Sequence, residues 1–103
     1  MLKTSGFDWD GGNREKCLRH GVSAADIESL FERPVSVFPD FAHSATEERF
    51  KGVGITAKGR HVFLVFTLRE SKGEIFIRPI SARFMHAKEV RHYEKETAKA
   101  AER

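Results

Sequence analysis

The chain predicts a small α+β domain, with two N-terminal helices and a C-terminal helix packed on an antiparallel sheet of about four strands. Three observations carry this. The first third is punctuated as helices are, with Asp10 and Ser23 as N-terminal caps and Gly21 and Pro34 as stops. From Val35 to Ala82 the apolar spacing shifts toward a period of two, broken by turn residues. From Met85 onward it returns to helical spacing, and 103 residues suffice for one modest core but not for two.

Phe7 and Trp9, separated by Asp8, predict a brief strand at a sheet edge. Asp10 then caps a helix through Arg14–His20, with Gly11, Gly12 and Asn13 loosening its entry and Gly21 closing it. Ser23 and Asp26 suggest a capping arrangement for a second helix whose Ile27, Leu30 and Phe31 share one face, and Pro34 ends it. Two short helices around a glycine invite comparison with a helix-turn-helix. The outward face of the second, however, carries Asp26, Glu28 and Glu32, which repel phosphate, so an αα-hairpin on a sheet is the better reading.

Val35, Val37 and Phe41, interrupted by Pro39, read as an edge strand, and 43–48 as a polar connector. Phe50, Val53 and Ile55 mark a strand in which Gly52 and Gly54 permit close approach of another backbone or of a ligand. Val62–Leu68 is apolar on both faces and should be central. Glu70–Gly73 makes a turn, and Ile75–Ala82 returns antiparallel. In the last helix Ala87, Val90 and Tyr93 can face the sheet, whereas the tail 95–103 has little to bury.

Composition narrows the functional classes. Eighteen Lys and Arg against fifteen Asp and Glu give a formal charge of +3, and the sequence pI of about 9.2 favours a polyanionic partner. Cys17, the single cysteine, excludes an internal disulfide and fits a reducing compartment. No apolar run approaches the roughly 18 residues of a membrane span and the N-terminus lacks a signal-peptide pattern, so a cytoplasmic protein is expected. The run Ile75–Tyr93 concentrates chemistry: Arg78, Ser81 and Arg83 on a strand lead into a helix with His86, His92 and Tyr93. His86 and His92 lie six residues apart, on different helix faces, and with one cysteine no metal site is predicted.

Several separated motifs, FDWD at 7–10, RHGVS at 19–23, EERF at 47–50, VFTLR at 65–69, and IRPISAR at 77–83 followed by KEVRHYE at 88–94, together resemble the BrnT family of ribonuclease toxins. The resemblance spans roughly Phe7 to Glu94, with every block in the family's order. It implies a compact RelE-like fold, a single toxin domain over 1–103, RNA cleavage without a metal or other cofactor, and neutralisation by a BrnA-like ribbon-helix-helix antitoxin, with operator DNA engaged only through that antitoxin. Where the family carries a lysine before the histidine of the first helix, Arg19 stands here, keeping the charge without a readily transferred proton.

Metal-free RNA cleavage needs a base for the 2′-hydroxyl, an acid for the leaving oxygen and fixed cations for the phosphoryl oxygens. His20 sits where the family motif places a histidine, with Glu48 as the alternative base; against this, His20 can simply close the C-terminal end of its helix. Arg49, Arg69 and Arg83 are the candidates for the phosphoryl oxygens, against pairing with Glu47, Glu48, Glu70 and Glu89. Arg19, Lys51 and Arg78 are further RNA-binding candidates. Tyr93 can donate a proton or stack on a base, against a core position on an amphipathic helix. The rival from another class is a noncatalytic module with a basic face that binds RNA or a protein. A third reading is a DNA-binding regulator acting alone. Whether Arg69 and Arg83 share a sheet face depends on bulges that the sequence does not fix.

Overall fold

The computed structural model describes residues 4–40 and 47–101. Within them the elements run β1 (Gly6–Phe7), α1 (Gly11–Leu18), α2 (Ala24–Leu30), β2 (Ser36–Pro39), β3 (Arg49–Ile55), β4 (His61–Ser71), β5 (Glu74–Phe84) and α3 (Ala87–Ala101). The sheet has five strands in the order β1-β5-β4-β3-β2, rather than about four. It is also mixed, because β1 pairs parallel to β5, Gly6 against Phe76 and Phe7 against Ile77, while the other ladders are antiparallel. The expected first strand thus exists, but its pairing could not be read locally from a two-residue segment whose partner lies about seventy positions on.

Both predicted helix caps are present as full capping boxes. Asp10 accepts from the Asn13 backbone N–H while the Asn13 side chain accepts from the Asp10 N–H, and Ser23 and Asp26 repeat the arrangement for α2. The first box winds Gly11 and Gly12 into α1, so the helix starts three residues before the predicted Arg14 and ends at Leu18, leaving His20 beyond it. The hairpin between β4 and β5 turns through Lys72 and Gly73, both with positive φ (52° and 82°), as a two-residue primed turn requires. No register shift falls at that glycine. It falls instead beside Pro79, where Val65 faces Ser81 and Phe66 faces Pro79, leaving Ile80 as an extra residue. Phe41 and His43, assigned above to the edge strand and the connector, lie outside the described residues.

The core forms between one sheet face and the N-terminal helices. Val62, Leu64 and Phe66 of β4 meet Ile77 and Ala82 of β5, Cys17 of α1, Val22, and Ile27 and Leu30 of α2. Gly52 and Gly54 serve this packing: a Cβ on Gly54 would lie 3.1 Å from the Leu30 Cβ, and one on Gly52 would lie 3.3 Å from the Phe66 ring. Their small size lets α2 and a large aromatic settle on β3. The opposite sheet face is covered by α3 only at one end. There the Tyr93 hydroxyl hydrogen-bonds the Ser36 hydroxyl, and Glu89 takes Arg83 in a two-point ion pair at 2.8 Å for each bond. Val90 and Tyr93 are half-buried, but Ala87 and residues 94–100 are exposed.

Candidate active site

The uncovered part of that second face carries the charge. Along β4 the alternation puts Phe63, Val65, Thr67 and Arg69 on it. Through the ladders the same face receives Arg49 and Lys51 from β3 and Arg78, Ser81 and Arg83 from β5. Arg69 and Arg83 therefore do share a face. They are nevertheless far apart, since Arg83 lies opposite Phe63 and Arg69 is six residues further along β4, about 20 Å at roughly 3.3 Å per residue.

The arginines accordingly divide into two groups. Arg49, Arg69 and Arg78, from three adjacent strands, line an open groove of about 370 Å³ together with Asp10, Asn13 and Lys16 of the first helix and its cap, and with Glu47. Arg78 is fixed in place by Asp10 at 2.7 Å and Asp8 at 3.4 Å. The pairing keeps its guanidinium firmly protonated. The Asn13 backbone N–H and the Arg78 guanidinium hold the Asp10 carboxyl below its ordinary range. Asn13 locks the corner: its buried side chain donates to the Asp8 carbonyl at 3.0 Å and to the Pro79 carbonyl at 2.8 Å. The bulge beside Pro79 and the start of α1 are thereby tied together around Arg78. Across the groove, Glu47 lies 3.3 Å from Arg69.

Arg83 belongs to a second, smaller recess of about 100 Å³, shared with His20, Phe63 and Ser81. Its guanidinium lies 5.1 Å from the centre of the Phe63 ring. Hydrogen bonds from Arg83 and from the His86 backbone pull the Glu89 carboxyl down to about 2. Glu89 thus closes the first turn of α3 and holds Arg83 at once.

Of the residues proposed from sequence, the structure brings Arg49, Arg69 and Arg78 into one groove. Lys51 stands on the same face, 3.8 Å from Asp40. His20 and Arg83 meet in the second recess, and Arg19 is exposed at the end of α1. Tyr93 is at the β2 side of the sheet, against Ser36 and edge-on to His61, in the packing position weighed against its functional one. Glu48 is exposed and contributes its backbone carbonyl to the Thr67 hydroxyl. The groove instead holds its neighbour Glu47, expected only as an ion-pair partner, together with Asn13, expected only at the helix entry, and Lys16. Strand period would have pointed to Glu47, which has the parity of Arg49. Lys16 lies one helical turn after the first-turn residues Gly12 and Asn13 that also line the groove, a spacing visible once α1 is taken to start at Gly11. Among the described residues no three His, Cys, Asp or Glu side chains cluster as metal ligands would.

A basic groove on a sheet face is chemistry suited to a phosphodiester, and comparison with known proteins supplies the context. A family model described as the ribonuclease toxin BrnT of type II toxin–antitoxin systems matches residues 9–89. The chain belongs to the BrnT family. No curated protein matches it. The matched span runs from Trp9 to Glu89, so it contains all of the groove residues and both members of the Arg83–Glu89 pair. Membership makes the chain a toxin of a toxin–antitoxin system, with ribonuclease activity and an antitoxin partner implied at the level of the BrnT family. Among the described residues, no helix is long and apolar enough to cross a membrane.

Proposed function

We propose that this BrnT chain cleaves RNA endonucleolytically in the Arg49–Arg69–Arg78 groove by attack of the 2′-hydroxyl on the adjacent phosphorus, without a metal. The observation that carries this is the convergence of three arginines from three strands, with Lys16, on one open cleft beside a carboxylate. Guanidinium forks suit the phosphoryl oxygens because they donate bidentately and stay charged. Held beforehand by Asp8 and Asp10, Arg78 needs little reorganisation as negative charge builds at phosphorus. Glu47 is the carboxylate at the cleft, and it takes the 2′-hydroxyl proton. Lys16 returns a proton to the departing 5′-oxygen, since arginine does not release one and Asp10 is held ionised. The P–O5′ bond breaks as the P–O2′ bond forms, leaving a 2′,3′-cyclic phosphate and a 5′-hydroxyl. His20 and Arg83 grip a neighbouring part of the strand. The role in proton transfer expected for His20 from the resemblance, with Glu48 as the alternative base, is tested against Glu47 by comparing His20→Ala, Glu48→Gln and Glu47→Gln.

The remaining parts of this reading are a RelE-like toxin fold, action in the cytoplasm, inhibition of translation and growth, and neutralisation by a BrnA-like ribbon-helix-helix antitoxin that alone contacts operator DNA. The decisive experiment incubates the antitoxin-free protein with end-labelled RNA at neutral pH, with and without a chelator. Cleavage that persists in chelator and yields cyclic phosphate termini is expected. Intact RNA would favour the noncatalytic basic module instead, and loss of cleavage in chelator would overturn the metal-free step.

A further inference from the structure

Among the described residues one phenylalanine is left about half exposed: Phe38, at 49 %. It stands on β2, the outermost strand of the sheet. Its neighbour Val37 points to the helix-bearing face, where it completes an apolar hollow with Phe50, Phe66 and Leu68. Phe38 points the other way. Its parity is that of Ser36, which meets Tyr93 on the charged face, and its ladder partner is Lys51. Arg49, two residues before Lys51 and a lining residue of the groove, is about 8 Å from Phe38 by strand spacing and rise. A large aromatic ring thus lies open to solvent on a strand paired along its length with β3, beside the cations proposed to hold the RNA backbone.

We infer that Phe38 is a stacking platform for one base of single-stranded RNA, next to the nucleotides whose phosphates enter the groove; this rests on the ribonuclease reading above. Every base has a π-face, so such a platform tolerates sequence. It requires that face to be free, which a duplex does not allow. Lys51 across the ladder engages the backbone on the same side, its charge partly balanced by Asp40. The substrate class is accordingly an unpaired strand, and Phe38 selects for it.

The test uses the full chain and an oligoribonucleotide of mixed sequence, fully 2′-O-methylated so that it binds without being cut, offered single-stranded and as a duplex. Phe38→Ala is expected to weaken single-strand binding about tenfold or more, with Phe38→Tyr restoring it and duplex binding unchanged. Thermal midpoints of the three proteins check that the fold is retained. Equal single-strand affinity of Phe38→Ala and wild type, in a protein that still cleaves RNA, overturns the platform and leaves the ribonuclease reading standing. If Phe38→Ala instead loses affinity for the antitoxin and keeps its affinity for RNA, the side chain belongs to a protein interface and the platform is equally overturned. A wild-type protein that neither binds nor cleaves RNA removes the ribonuclease reading itself.

Discussion

Arg69 and Arg83 occupy one sheet face but different ends of it, and this separates their expected contributions. With the scissile phosphate in the groove, Arg69→Ala removes a donor from the oxygens that gain charge. Loss of one such preorganised donor lowers the rate constant by about 10² to 10³. Arg83 is six residues away along β4, about 20 Å. At that distance a unit charge in water contributes about 0.2 kcal/mol, less than a twofold change in rate. Physiological salt screens it further, its Debye length being about 8 Å. The assay is single-turnover cleavage of a short labelled oligoribonucleotide with enzyme in excess, so that chemistry rather than product release is measured. Arg69→Ala, Arg49→Ala and Arg78→Ala should each slow it by two orders of magnitude or more, whereas Arg83→Ala should weaken binding and leave the saturated rate within a few-fold. Because Arg83→Ala also unties Glu89, and with it the first turn of α3, from β5, circular dichroism and Arg83→Lys accompany it. A saturated rate for Arg83→Ala as low as that of Arg69→Ala, in a folded protein, would show that the catalytic centre lies beside His20 and refute the assignment to the groove.

Three further outcomes follow from the packing. Asn13→Ala strips the Asp8 and Pro79 carbonyls of a buried donor and removes the side-chain arm of the α1 capping box; it should cost about 2 to 4 kcal/mol in urea unfolding and reduce cleavage by releasing the corner that holds Arg78. Gly54→Ala places a Cβ 3.1 Å from the Leu30 Cβ, so α2 must shift, and a loss of about 1 to 3 kcal/mol is expected in the same assay. Glu89 has its carboxyl lowered from an ordinary 4.5 to about 2; a depressed carboxyl stabilises the fold above its unfolded value and loses that contribution as pH falls. The thermal midpoint of the wild type should therefore drop more steeply than that of Glu89→Gln between about pH 4.5 and pH 2, and parallel curves would show that the pair with Arg83 does not stabilise α3.

The residues that form elements locally were legible. Asp10 and Ser23 cap their helices because a short side chain can reach the backbone N–H three positions on, a contact fixed within four residues of sequence. Val62, Leu64 and Phe66 alternate into the core because β4 is central and flanked on both sides. The parallel pairing of Gly6–Phe7 was not legible. A two-residue strand has no period, and its partner is chosen by where α1 and the bulge beside Pro79 bring the chain.

The same distinction explains the site. Arginine and histidine as residue types announced phosphate chemistry, but their grouping depends on parity and register, which are tertiary facts. One extra residue at Ile80 shifts the β5 register between Arg78 and Arg83. In an unbulged strand Arg78 and Arg83, five residues apart, would point to opposite faces, and with Arg83 kept in place Arg78 would leave the groove for the core side. The bulge next to Pro79 is therefore what delivers Arg78 to Asp8 and Asp10, and Asn13, donating to the Pro79 carbonyl, is what holds the bulge. Deleting Ile80 would remove the bulge and leave Arg78 and Arg83 four residues apart, so both should stay on the charged face of a regular strand. Keeping Ile80 but pairing β5 without the bulge would instead force a choice, either expelling Arg78 from the groove or turning Ser81 and Arg83 inward, and this ties the one irregular residue to both basic recesses of the face.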